Sequence, residues 1–108
     1  MSEAEFHFEV ESSTEEGIKK TTIICHGRLV AGIAGEIRDV VKPLIPQGGE
    51  IVIDLGDVQF LDSMGLGALV GLKVSALNEG YCVLKLENLT PRLQDLLTMT
   101  NLKSLFAS

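Results

Sequence analysis

With 108 residues the chain is long enough for one hydrophobic core and too short for two, so residues 1–108 are predicted to form a single domain. The formal net charge is −6 and the nine basic residues are scattered, which argues against direct binding to nucleic acid. No secretory signal pattern is present, and no apolar run reaches the roughly eighteen residues of a membrane helix. We therefore expect a cytoplasmic protein without membrane insertion.

The first predicted element is a hairpin. In "EFHFEVES" the apolar residues Phe6, Phe8 and Val10 alternate with acidic and polar residues, as in an edge strand with one solvated face. The segment "STEEG" turns the chain, and "IKKTTIICHGRL" returns as the second strand. The hairpin is therefore expected to be antiparallel.

The apolar spacing becomes helical after this hairpin. The predicted helix has one apolar stripe and ends near Pro43; the stripe consists of Ile33, Ile37, Val40, Val41 and Leu44. After the break at "QGG", the short apolar run "EIVIDL" is rich in β-branched residues, which is typical of an interior strand covered on both faces.

A second helix follows, and its predicted buried stripe consists of Leu66, Leu69, Val70, Val74 and Leu77. The segment "YCVLKL" is the next predicted strand, and a strand, a helix and a strand in this order require a parallel crossover. Thr90 and Pro91 begin a last helix that buries Leu93, Leu96 and Leu97, and "LKSLF" closes the chain. The predicted fold class is α/β, a mixed sheet with an antiparallel N-terminal hairpin and packing helices.

The two cysteines, Cys25 and Cys82, lie far apart in apolar segments and lack the spacing of a zinc site or a redox pair. They are expected to be buried, reduced thiols. The sequence thus indicates neither a metal nor a cofactor.

The segment "VQFLDSMGLGALVGL" joins the central strand to the second helix, at the edge of an α/β sheet where ligands and partners bind. Ser63 directly precedes the helical pattern, so its hydroxyl is expected to cap the helix. Gly65 is expected to keep the approach to Ser63 open. Gly67 and Gly71 share one helix face and permit close approach either of the sheet or of a partner, and the sequence leaves both alternatives open.

A catalytic role for Ser63 fits the sequence poorly. Leu61 stands where a hydrolase elbow of the G-x-S-x-G type has glycine, and both histidines, His7 and His26, belong to the N-terminal hairpin. A small serine hydrolase is therefore the third interpretation.

The segment "IVIDLGDVQFLDSMGLGALVGL" resembles the signature of the STAS domain of bacterial anti-sigma factor antagonists, and the likeness extends over nearly the whole chain. The resemblance implies that a serine kinase, itself the anti-sigma factor, phosphorylates Ser63, and that a serine phosphatase reverses the modification. Asp62 matches the acidic residue before that serine, and Asp54 matches the aspartate that closes the central strand. Met64 and Val30 depart from the family pattern and bear on the choice of partner.

The resulting prediction is a partner-switching regulator of transcription that is not an enzyme. Its predicted partner-binding residues are Asp54, Asp62, Ser63, Met64, Gly65, Leu66 and Gly67. Free N–H groups at the helix start are expected to accommodate a phosphate on Ser63. The alternative is a non-switching STAS subunit of a transport complex, in which Ser63 only caps the helix. The oligomeric state is left open.

Overall fold

The computed structural model describes residues 6–107 as four strands, four α-helices and one short 3-10 helix. In chain order these are β1 (His7–Glu15), β2 (Ile18–Leu29), α1 (Ala34–Val41), the 3-10 helix (Lys42–Gln47), β3 (Gly49–Leu61), α2 (Ser63–Glu79), β4 (Cys82–Glu87), α3 (Pro91–Met99) and α4 (Lys103–Ala107).

The four strands form one sheet in the order β1-β2-β3-β4. β1 pairs with β2 antiparallel, whereas β2 with β3 and β3 with β4 are parallel, which confirms the predicted mixed sheet. The hairpin turn consists of Glu16 and Gly17, and both have positive φ, 54° and 81°. Such two-residue turns match the twist of the strands they connect, and glycine adopts this conformation without strain.

The main hydrophobic core lies on the face of the sheet against which α1 and α2 pack. Alternate residues of the strands point into it, among them Ile23, Cys25, Ile53 and Leu84. Both cysteines are free and buried, as predicted. On the opposite face, the β4 side chains of Val83, Lys85 and Glu87 are exposed. The sheet therefore buries one face much more completely than the other.

β3 is longer than the apolar run "EIVIDL" predicts. The strand continues past Leu55 to Leu61, because pairing with β2 resumes after an irregularity at Gly56 and joins His26 to Asp57 and Leu29 to Leu61. The later part of β3 has exposed polar residues, so its pattern is not that of an interior strand. The extension carries the chain directly to the first turn of α2.

The predicted buried stripe of α2 is wrong in its second half. Val74 and Leu77 are 41% and 51% exposed, whereas the buried face includes Leu72, Lys73 and Ala76. Most residues of α2 are apolar or glycine, so periodicity alone does not select a face. Lys73 is buried, and its Nζ donates a hydrogen bond to the carbonyl oxygen of Leu84 at 2.8 Å, which satisfies the polar end of the side chain.

α3 begins as predicted, with Pro91 in its first turn and the Thr90 hydroxyl accepting a hydrogen bond from the Leu93 N–H. Leu93 and Leu97 are buried and Leu96 is half-buried. In the part of the chain that the structure describes, no helix has both the length and the apolar character needed to cross a membrane.

Candidate functional site

Asp62 caps the first turn of α2. The prediction that Ser63 provides the cap is therefore wrong. Asp62 has an extended backbone, and its Oδ1 accepts a hydrogen bond from the Gly65 N–H at 2.8 Å. An N-cap residue lies just outside the helix with a non-helical backbone. Ser63 is already the first helical residue, so its hydroxyl is not needed for capping.

The second carboxylate oxygen of Asp62 binds a different segment. Asp62 Oδ2 accepts a hydrogen bond from the Ala31 N–H at 3.0 Å, and the Asp62 N–H donates to the Leu29 carbonyl at 3.3 Å. The hydrogen bond from Gly65 lowers the pKa of Asp62 most, burial opposes that effect, and the bond from Ala31 lowers the pKa further. The Asp62 carboxylate thus joins the loop after β2 to the start of α2.

The prediction that Gly65 keeps the approach to Ser63 open is wrong, because Gly65 is buried against β2. A Cβ atom at Gly65 would lie 2.2 Å from the Leu29 carbonyl oxygen and 2.9 Å from Leu61 Cδ1. Only glycine lets the helix come this close to the strand. Gly67 and Gly71 differ, since a Cβ at either would have no neighbour within 4 Å. Close packing on the sheet therefore does not explain these two glycines.

On the helix side of Ser63, beyond the Asp62 carboxylate, the exposed residues are uncharged. Ser63 and Gly67 are exposed, Met64 is 54% exposed, and Leu66 is buried. Within α2, the only charged residue between Ser63 and Asn78 is Lys73, which is buried. We call the exposed side of α2, formed by Met64, Gly67, Gly71, Val74 and Leu77, the α2 face.

Asp54 lies in the middle of β3, before the irregularity at Gly56 and away from the Ser63 turn in the chain. Its Oδ1 accepts a hydrogen bond from the Gly56 N–H and its Oδ2 one from Asn88 Nδ2, both at 2.9 Å. These bonds tie the carboxyl end of β4 to the irregularity in β3. The structure thus gives Asp54 a local structural role, whereas residues 62–67 are brought together by a single turn.

A groove beside the Ser63 turn contains residues that sequence reasoning missed. It has a volume of about 420 Å³ and lies between the end of β3 and α3, with Phe60, Leu61, Leu93, Leu96 and Met99 among its lining residues. The Arg28 guanidinium lies 5.0 Å from the centre of the Phe60 ring. The only signal of this groove in the sequence was the apolar character of Phe60 and Met99, and only the fold brings these two residues to the same groove.

His26 is held between two carboxylates. Its Nδ1 lies 2.6 Å from Asp57 Oδ2 and its Nε2 lies 2.9 Å from Glu9 Oε2, while the His7 ring stacks on it at a centroid distance of 4.6 Å. Both ring nitrogens are engaged, so neither is available to accept a proton from Ser63. Within residues 6–107, no group of three or more His, Cys, Asp or Glu side chains is arranged to hold a metal ion.

Comparison with known proteins identifies the family. A model of the STAS domain matches residues 9–107. The anti-sigma-B factor antagonist of Bacillus subtilis (strain 168) is 42% identical over 81 residues, which cover 68% of this chain and 73% of that protein.

Two solved structures share the fold at low sequence identity. The anti-sigma factor antagonist SpoIIAA in its unphosphorylated form has a TM-score of 0.72 and 24% identity, covering 91% of this chain and 84% of that chain. An anti-sigma factor antagonist from Mycobacterium paratuberculosis has a TM-score of 0.75 and 20% identity, covering 97% and 86%. From the family match and the Bacillus relative together, this chain belongs to the STAS domain family.

Proposed function

We propose that this protein is an anti-sigma factor antagonist whose binding to a serine kinase anti-sigma factor ends when Ser63 is phosphorylated. The observation that carries the proposal is the position of Ser63, exposed at the first residue of α2 and beside a helix face without charge. The Bacillus subtilis relative, an anti-sigma-B factor antagonist, supports the same function. The protein is then a substrate of the kinase and of a phosphatase, and not itself an enzyme.

The switch acts through charge. A phosphate adds about −1.5 to −2 charges at neutral pH. On the α2 face it would replace contact with Met64 and Gly67 by a dianion that the partner must desolvate. Such a mismatch is worth several kcal/mol, so the affinity for the partner should fall by roughly a hundredfold or more. Gly67 and Gly71 support the proposal because they leave space for the backbone of a partner to approach α2.

The test is an affinity pull-down from an extract of the source cells, with and without ATP, in which mass spectrometry identifies partners and modifications. A small kinase retained only without ATP, together with phosphate on Ser63, is the expected result. Ser63→Ala should abolish the modification and keep the kinase bound in both conditions. The matched control, Ser75→Ala on the same helix, should behave like the parent.

Two other results would contradict the proposal. Phosphate on Ser12, Ser13 or Ser75 instead of Ser63 would remove its chemical basis. Transporter subunits retained with and without ATP would favour the non-switching STAS subunit. Ester turnover that Ser63→Ala abolishes would indicate a serine hydrolase. We do not expect such turnover, because both ring nitrogens of His26 are bound by carboxylates.

A further inference from the structure

In the first turn of α2, the N–H groups of Gly65 and Leu66 both have an acceptor on Asp62. Asp62 Oδ1 accepts from the Gly65 N–H at 2.8 Å, and the Asp62 carbonyl accepts from the Leu66 N–H at 2.9 Å. The N–H groups of Gly65 and Met64 both lower the pKa of Asp62, Gly65 more strongly. The Gly65 N–H, which the sequence led us to expect as a free donor for a phosphate, is therefore already bound by the Asp62 carboxylate.

The remaining oxygen of Asp62 is equally occupied. Oδ2 accepts from the Ala31 N–H at 3.0 Å, so the carboxylate is fixed from two directions by backbone groups of two segments. A phosphate on Ser63 that moved onto the helix start would have to displace Asp62 from Gly65 and break the link to Ala31. It would also be repelled by the carboxylate, because both groups are anionic.

We propose that Asp62 is a positioning residue that keeps a phosphate on Ser63 out of the α2 amino terminus and directed toward solvent and the partner. This inference rests on the proposed function in that Ser63 is the residue modified. A positioning role of Asp62 would also explain why a phosphate on Ser63, although it lies at a helix start, still prevents the partner from binding. A phosphate held by the helix N–H groups would be partly neutralised by the helix dipole, whereas a projecting phosphate keeps its full charge toward the partner.

The position of Asp62 should affect the second pKa of the phosphate. With Asp62 in place, the adjacent carboxylate should raise the second pKa of the phosphate above its ordinary value of about 6. In Asp62→Ala the vacated N–H groups should accept the phosphate and lower that pKa. We expect the two proteins to differ by about half a pH unit or more.

The experiment incorporates phosphoserine at position 63 during translation, so that no kinase is required. The phosphate is titrated by ³¹P NMR while the amide signal of Gly65 is followed by ¹⁵N NMR. In the parent chain the Gly65 amide signal should be nearly independent of the phosphate titration. In Asp62→Ala it should shift together with the phosphate, as a direct hydrogen bond requires. The matched control is Asp39→Asn on α1, which removes an exposed carboxylate elsewhere and should titrate like the parent.

A second variant guards against loss of the fold. Asp62→Asn keeps an oxygen that accepts from Gly65 but removes the negative charge, so its phosphate pKa should fall while the Gly65 amide stays uncoupled from the titration. If the Gly65 amide follows the phosphate in the parent chain, or if all three forms share one phosphate pKa, the positioning role of Asp62 is wrong. Because the phosphate is installed without a kinase, that result leaves the proposed function standing. Failure of a kinase to modify Ser63 would instead overturn the proposed function.

Discussion

Two glycines of α2 that are only two residues apart have opposite surroundings. A Cβ at Gly65 would lie 2.2 Å from the Leu29 carbonyl oxygen, whereas a Cβ at Gly67 would have no neighbour within 4 Å. The first glycine permits the contact between α2 and β2 that holds the Ser63 turn in place. Gly67 leaves the α2 face without a protruding side chain at that position.

The two glycines should therefore respond oppositely to alanine. Gly65→Ala must move α2 away from Leu29 and should destabilise the protein by about 1–3 kcal/mol, as overpacked sites do. Gly67→Ala should leave stability unchanged or raise it by up to about 1 kcal/mol, because alanine favours the helix. Urea unfolding of both variants measures the difference. A Gly65→Ala protein as stable as the parent would contradict the close packing of Gly65 against Leu29.

At the scale of elements, His26 connects three strands. It lies on β2, its Nδ1 contacts Asp57 of β3, its Nε2 contacts Glu9 of β1, and the His7 ring of β1 stacks against it. The hydrogen bond to Asp57 raises the pKa of His26 most, burial opposes the rise, and the hydrogen bond to Glu9 adds to it. Folding therefore favours the imidazolium, which donates to both carboxylates.

This linkage predicts a pH dependence of stability. Because the folded pKa of His26 is raised, its contribution is fully present below the unfolded pKa of about 6.5 and is lost as the pH rises through the folded value. The urea midpoint of the parent should therefore exceed that of His26→Gln by more at about pH 6 than at about pH 9. Asp39→Asn removes an exposed carboxylate of α1 that is not one of the two partners of His26, so it serves as the control and should keep the parental dependence. An equal difference at both pH values would contradict the role of His26.

At the scale of the whole molecule, the exposed residues around Ser63 are separate from the hydrophobic core. The uncharged α2 face and the groove beside Phe60 flank the Ser63 turn, whereas the core of Ile23, Ile53 and Leu84 lies on the inner face of the sheet. Ser63 is exposed, so a phosphate there would contact no core residue. A modification at this turn is therefore expected to act on binding and not on folding.

Phosphorylation should accordingly change the free energy of unfolding by no more than about 1 kcal/mol, the size of a charge effect at an exposed helix end. The affinity for the partner should fall by roughly a hundredfold in the same preparation. Urea midpoints and binding constants measured on paired phosphorylated and unphosphorylated samples test both statements. A steep fall in the urea midpoint, with normal binding by the remaining folded protein, would mean that the switch acts through unfolding.

The sequence by itself determined the fold class and the place of the Ser63 turn. Alternation in "EFHFEVES", helical spacing from Ile33 and the Thr90–Pro91 start of α3 are local patterns, and local patterns are set by strand and helix geometry. The order of these patterns then predicts a hairpin and, for the strand, helix and strand around α2, a parallel crossover. The family signature around Ser63 is likewise a continuous segment, so it can be read without the fold.

Only the tertiary structure decided the contacts between residues that are distant in the chain. The Asp62 carboxylate accepts a hydrogen bond from the Ala31 N–H, 31 positions away. The same carboxylate caps α2, a role that the sequence pattern had assigned to Ser63. Asp54 binds Asn88 across 34 positions, which reveals a structural role. The buried face of α2 was decided in the same way, because a helix of nearly uniform hydrophobicity carries no periodic signal and only packing against the sheet selects which side is covered.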